Sequence, residues 1–151
     1  MTKDSSLSIN ESLKLATNLI IIIVAGFILP LILILITRYT GYSEVVEEIA
    51  KAVIIYFLVI NLPKFKWQII SALVFGFLFG LSESIFYINN IFQIGNFNIF
   101  WTRFLLAIPL HMVTVLIILL PSVRSKKFII LGTMLAIAAH ILFNLAVINI
   151  F

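Results

Sequence analysis

Five apolar stretches divide the chain, and each is close to the roughly 20 residues that a helix needs to cross the apolar core of a bilayer. The breaks between them contain the glycine, proline and asparagine residues that commonly end helices. The pattern predicts an all-α fold, a polytopic membrane helical bundle with about five transmembrane helices. The expected spans are residues 15–37, 45–62, 67–87, 99–120 and 128–151, separated by breaks at 38–43, 63–66, 89–98 and 121–127.

Composition supports a membrane domain and excludes several functions. The chain is 63% hydrophobic and only 11% charged, whereas soluble domains carry about 25% charged residues. We therefore expect one integral membrane domain over residues 1–151, in contact with the lipid bilayer. The absence of cysteine excludes disulfides, thiolate zinc sites and cysteine nucleophiles. The basic residues lie in short breaks without interleaved aromatic residues, which argues against nucleic-acid binding.

The distribution of these basic residues predicts the orientation of the chain. Cytoplasmic loops are enriched in lysine and arginine. If the five spans cross the membrane in turn, most basic residues of the breaks and of the N-terminal tail fall on one side, and only Arg38 falls in the loops of the other side. We therefore expect a cytoplasmic N-terminal tail over residues 1–14. The first span is too long for the apolar region of a signal peptide. The cytoplasmic basic residues are Lys3, Lys14, Lys64, Lys66, Arg124, Lys126 and Lys127.

A few charged residues and histidines fall inside the expected spans. A charge at the bilayer centre costs about 2.5–3.5 kcal/mol on insertion scales, and such residues usually mark function. The second span opens with Glu47, Glu48 and Lys51. Glu47 and Lys51 share a helix face and can pair, although an ion pair at the membrane interface would give the same pattern.

The third to fifth spans contain the other polar candidates. Glu83 follows a Gly-x-x-x-Gly motif that allows close helix packing. Arg103 and His111 share one stripe of the fourth span, and His140 and Asn144 share one face of the fifth. A glutamate that reaches the interface and ordinary interhelical hydrogen bonds are the structural alternatives for these residues.

Depth favours one shared site over these separate structural roles. At 1.5 Å per residue, Glu83 lies about 24 Å and His140 about 18 Å from the cytoplasmic starts of their spans. Unrelated structural residues would scatter in depth, whereas these lie in the middle and outer half of the membrane. We therefore predict a cavity that opens outward.

Three kinds of chemistry fit carboxylates beside imidazoles. A buried carboxylate can activate water while histidine and asparagine N–H groups stabilise an oxyanion. A set of Glu48, His111 and His140 could bind zinc, although the His-Glu-x-x-His motif is missing. The same groups could relay protons across the membrane, although we find no inverted repeat typical of transporters.

The order of the polar motifs resembles that of the PrsW-type intramembrane proteases, within the wider group of CAAX proteases and bacteriocin-immunity (Abi) proteins. The resemblance covers residues 44–144. The motifs are Glu47-Glu48-x-x-Lys51, Phe79-x-x-x-Glu83, Arg103 with His111, and His140-x-x-x-Asn144.

This resemblance implies an endopeptidase of a prokaryotic cell membrane that cuts membrane-anchored proteins such as anti-sigma factors. It implies that Glu47 or Glu48 activates water with help from Glu83 or His111. His140 and Asn144 would then stabilise the oxyanion, without a metal. Lys51 and Arg103 would play supporting roles.

The chain departs from the family pattern in two ways. Ser84 stands where asparagine is common, and relatives usually have more spans. An inactive immunity or peptide-binding protein of the same fold therefore remains the alternative function.

Overall fold

The computed structural model describes residues 9–94 and 97–148, and among these the side chains of 9–10, 87, 89–94, 97–100, 102–103 and 148 are left undescribed. The described chain is helical and contains no strand, which confirms the predicted fold class. The helices are α1 (Ile9–Thr40), α2 (Ser43–Asn61), α3 (Phe65–Ile94), α4 (Phe97–Arg124) and α5 (Ile129–Ile148), with a short 3₁₀ turn at Lys126–Phe128.

Two of the breaks follow directly from local chemistry. Gly41 has a φ of 70° and donates its N–H to the Thr37 carbonyl at 2.9 Å, so it ends α1 in the left-handed conformation that glycine adopts without steric cost. At the next break, Leu62 donates to the Leu58 carbonyl at 2.9 Å and Pro63 follows. Both breaks lie where the sequence predicts them.

The other two breaks are shorter than expected. The Asn-rich stretch 89–98 was expected to separate two spans, but α3 continues to Ile94 and α4 begins at Phe97. Since α3 has 30 residues and a helix rises about 1.5 Å per residue, it exceeds the roughly 30 Å apolar core of a bilayer, so its amide-rich end can lie in the interface. Likewise, Pro121 lies inside α4 and the break begins only at Ser125.

Four of the five helices are long and apolar enough to cross a membrane: α1, α3, α4 and α5. The exception, α2, has 19 residues, which at about 1.5 Å per residue is also long enough. It differs from the other four helices in its charged first half, which lowers its mean hydropathy. The structure buries Glu48 and Lys51 completely, so the charges that reduce the hydropathy of α2 face the inside of the bundle.

The helices enclose a core in which α3 is central. Phe75 and Phe79 of α3 are fully buried and pack edge-to-face, with ring centroids 5.9 Å apart. Ile55 of α2 and Val115 of α4 belong to the same buried cluster. This apolar core lies next to the polar residues and holds the helices that carry them.

Candidate active site

One face of α2 brings a carboxylate and an ammonium group into the bundle. Lys51 Nζ donates to Glu48 Oε1 at 2.6 Å, and both side chains are fully buried. The pair expected from the sequence, Glu47 with Lys51, is thus replaced by an i, i+3 pair. The reason is geometric, because Glu48, Lys51 and Ile55 form the buried stripe of α2. Glu47 precedes Glu48 by one residue and therefore points about 100° away from it around the helix axis.

Lys51 also connects α2 with α3 and α4. Its Nζ lies 2.7 Å from His111 Nδ1 and donates to Thr114 Oγ1 at 3.3 Å. The same nitrogen lies 4.7 Å from the centre of the Phe79 ring, within the range of a cation–π contact. Lys51 therefore contacts two polar groups of α4 and an aromatic ring of α3.

His111 joins Lys51 to a carboxylate of α3. His111 Nε2 and Glu83 Oε2 are 2.5 Å apart. An ammonium group can only donate hydrogen bonds, so Nδ1 of His111 accepts from Lys51 and Nε2 carries the proton that is donated to Glu83. The hydrogen-bond partners thus assign a neutral tautomer to His111.

The Gly-x-x-x-Gly motif makes this contact possible. A Cβ atom at Gly80 would lie 2.8 Å from Ile108 Cα and 2.9 Å from His111 Cδ2, and one at Gly76 would lie 2.7 Å from the His111 carbonyl oxygen. Real Cβ atoms do not approach other atoms so closely. The two glycines therefore pack α3 against α4 within the molecule and place Glu83 beside His111.

Two side-chain hydrogen bonds connect α5 with α2. His140 Nδ1 lies 2.8 Å from Glu48 Oε1, and Asn144 Nδ2 donates to Glu44 Oε1 at 2.8 Å. Since a carboxylate only accepts, His140 donates through Nδ1, and as a neutral ring it keeps Nε2 as an acceptor. The His140 and His111 rings meet edge-to-face with centroids 5.5 Å apart.

The polar groups surround a cavity of about 130 Å³. It lies at the end of the bundle where α2 begins, α3 and α4 meet, and α5 ends. Two other cavities, of about 300 and 450 Å³, lie away from these groups. The polar residues that line the cavity are Ser43, Glu47, Glu83, His111, His140 and Asn144.

Three of these residues form a group that fits a metal ion. Glu47, Glu83 and His111 each offer one ligand atom, and these atoms all lie within 4.8 Å of one another. Glu47 Oε2 is buried without a hydrogen-bond partner among the described residues, as expected of an atom that binds a ligand or water. A carboxylate and imidazole set suits zinc. This set shares only His111 with the zinc set expected from the sequence.

The structure brings together most residues singled out in the sequence. Glu47, Glu83, His111, His140 and Asn144 line the cavity, while Glu48 and Lys51 lie behind it in the hydrogen-bond network. The backbone of Arg103 lies in α4, but its side chain falls outside the described residues.

Sequence reasoning missed Glu44, the partner of Asn144. The sequence contains a pattern that indicates this contact. Glu44 and Glu48 are four residues apart, and so are His140 and Asn144, so two antiparallel helices can pair both residues at once. Matching this spacing between α2 and α5 would have identified the contact.

Comparison with known proteins places the chain in a family. Residues 15–151 match the family described as PrsW family intramembrane metalloprotease. No curated protein and no solved structure matches the chain. The family match covers four helices completely and most of α1. The chain therefore belongs to the PrsW family of intramembrane metalloproteases.

Proposed function

We propose that this chain is an intramembrane endopeptidase in which Glu47 activates the attacking water. The observation that carries the proposal is the buried Oε2 of Glu47, which has no hydrogen-bond partner among the described residues and belongs to the group with Glu83 and His111. Burying a carboxylate oxygen without a partner is costly. A water molecule on Glu47 supplies that partner and is also the reactant that hydrolysis requires.

Glu47 is the better base of the two adjacent glutamates. Glu48 accepts hydrogen bonds from Lys51 and His140 through one oxygen, and it does not belong to the residues that line the cavity, whereas Glu47 does. In the proposed step, the water oxygen attacks the scissile carbonyl carbon and a water proton passes to Glu47. Glu48 acts by orienting its two partners.

The pair of His140 and Glu48 supplies the second proton transfer. His140 donates Nδ1–H to Glu48, which leaves Nε2 to accept the proton that Glu47 takes from water and to pass it to the leaving amine as the carbon–nitrogen bond breaks. A carboxylate behind an imidazole fixes its tautomer and stabilises the imidazolium form. This arrangement supports His140 as the general acid.

Asn144 supports the oxyanion. Its amide has two N–H groups, and one of them is donated to Glu44 at 2.8 Å. The second is left for the oxygen that becomes negatively charged when water attacks the carbonyl. A single donor of this kind typically increases the catalytic rate by a factor of about 10²–10³.

The family description includes a metal, and Glu47, Glu83 and His111 are the residues that would hold it. Zinc bound there would make a coordinated water more acidic and polarise the scissile carbonyl. A metal on Nε2 of His111 would displace the proton that this nitrogen donates to Glu83, so the ring proton would move to Nδ1 and the contact with Lys51 would have to change.

The proposed substrate is a membrane-anchored protein of a prokaryotic cell membrane, with anti-sigma factors as the class that the resemblance favours. The cavity lies at the end of the bundle that is predicted, from the distribution of basic residues, to face away from the cytoplasm. Cleavage would therefore occur in the outer half of the bilayer.

The test is a survey of new protein N-termini in membranes of cells that express the wild type, Glu47→Gln or Glu11→Gln. We expect N-termini in or next to apolar spans with the wild type and with Glu11→Gln, which changes a carboxylate at the other end of the bundle. Glu47→Gln should remove them and keep its thermal unfolding temperature in detergent. The same N-termini in all three samples would overturn the proposal.

A further inference from the structure

The active-site cavity is too small for a substrate in its present form. Its volume is about 130 Å³, close to that of a cavity of about 150 Å³ that holds one benzene molecule. A peptide bond with its flanking residues needs more space than this. One wall of the cavity must therefore move before a substrate can reach Glu47.

Two helix pairs of the bundle are in contact at the backbone, α3 with α4 beside the cavity and α4 with α5 at the opposite end. Gly76 and Gly80 bring α3 against the backbone of α4, and a Cβ at Gly132 of α5 would lie 2.9 Å from the Ile117 carbonyl oxygen of α4. The short turn Lys126–Phe128 also joins α4 directly to α5. These contacts leave little room for α3 to separate from α4, or for α4 to separate from α5.

The seam between α2 and α5 is built differently. Its outer half is held by hydrogen bonds between side chains, Glu48 with His140 and Glu44 with Asn144. Its other half is an open groove of about 450 Å³ with an almost entirely apolar lining. The groove walls include Ile49, Val53 and Tyr56 of α2 and Ile130, Met134 and Ile137 of α5.

The groove continues along α5 toward the active site. Ile137 lies in the groove, and His140, one helical turn further along α5, contacts Glu48 and lines the cavity. Ile130 and Met134 are 68% and 64% exposed, so the groove opens toward the bilayer. The groove and the cavity are therefore neighbours along α5, separated by about one helical turn.

We infer that this groove, defined by the α2 and α5 residues above, binds an apolar transmembrane helix of the substrate. The inference rests on the proposed function, because a protease of this family acts on proteins in the bilayer. A lipid chain could fill the apolar groove but gains nothing from Glu48 and His140 at its end. A peptide backbone has N–H and C=O groups that these side chains can bind once the helix unwinds.

The absence of native cysteine allows a direct test. Single cysteines at Val53 and Met134 report on the groove, and one at Val113, which is 52% exposed on α4, is the control. Each is labelled with bimane, whose fluorescence tryptophan quenches on contact, and reconstituted in phosphatidylcholine vesicles. The probe is a lysine-flanked leucine–alanine transmembrane peptide with one central tryptophan.

We expect quenching at positions 53 and 134 at about tenfold lower peptide concentration than at position 113. Ala52→Phe, which fills the groove without adding a quencher, should abolish this preference in the Met134→Cys protein. Glu47→Gln should leave the preference unchanged, so docking is tested separately from catalysis. Equal quenching at all three positions, or a preference that survives Ala52→Phe, would overturn the inference.

Discussion

Lys51 Nζ and His111 Nδ1 are 2.7 Å apart in the interior of the bundle, and Glu48 holds the same ammonium group at 2.6 Å. The cation thus positions one group from each of two imidazole–carboxylate pairs, Glu48 with His140 and His111 with Glu83. These contacts make Lys51 a positioning residue whose removal affects both pairs.

We expect Lys51→Met to destabilise the protein by about 3–5 kcal/mol, because it leaves the buried carboxylate of Glu48 without its counter-charge. The measurement is the free energy of unfolding in detergent. The double variant Lys51→Met/Glu48→Gln removes both charges and should recover much of this loss while staying inactive. Independent, additive losses would show that the two charges do not interact.

Gly80→Ala should reduce activity more than its effect on folding explains. The added Cβ would press on Ile108 and on the ring of His111, which separates His111 from Glu83. Gly26→Ala is the matched control, since its Cβ would lie 2.7 Å from Leu78 Cβ, away from the active site. We expect both variants to unfold at lower temperature, and only Gly80→Ala to lose cleavage per folded molecule.

The sequence is sufficient to predict the helical bundle and most of the candidate site, because charged residues inside apolar spans are costly and few. Depth along each span predicts that Glu83, His111 and His140 lie in the middle and outer half of the membrane. The rotation of each helix about its own axis is harder to predict from the sequence. Glu47 is therefore the expected partner of Lys51, whereas the structure pairs Lys51 with Glu48. The partner depends on which stripe of α2 faces the bundle, and that is decided by packing against other helices.

Metal content provides a separate prediction. If Glu47, Glu83 and His111 hold zinc, the purified wild-type protein carries about one zinc ion per chain, as in catalytic sites with three protein ligands. Glu83→Gln should lower this content strongly, and Glu11→Gln should not. Elemental analysis of the three proteins decides the point, and full cleavage by metal-free wild-type protein would argue for catalysis by the glutamates alone.

The orientation predicted from the basic residues is testable with single cysteines. Tyr42, at the start of α2, is 69% exposed and lies at the active-site end, while Lys64 lies at the opposite end of α2. In intact cells, a membrane-impermeant maleimide should label Tyr42→Cys. It should label Lys64→Cys only after the membrane is opened, and the reverse pattern would place the active site on the cytoplasmic side.

The hydrogen bonds of α2 have a consequence for biosynthesis. Lys51 and His111 are 60 residues apart in sequence, Glu48 and His140 are 92 apart, and Glu44 and Asn144 are 100 apart. When α2 leaves the ribosome, its three glutamates and its lysine therefore have no partners from α4 or α5. A helix with these charges enters lipid at a high cost, so we expect α2 to insert stably only after the last helix has been made. A nascent chain that stops after α3 would leave α2 in the aqueous phase, and insertion of the second helix would become the final step in the maturation of the enzyme.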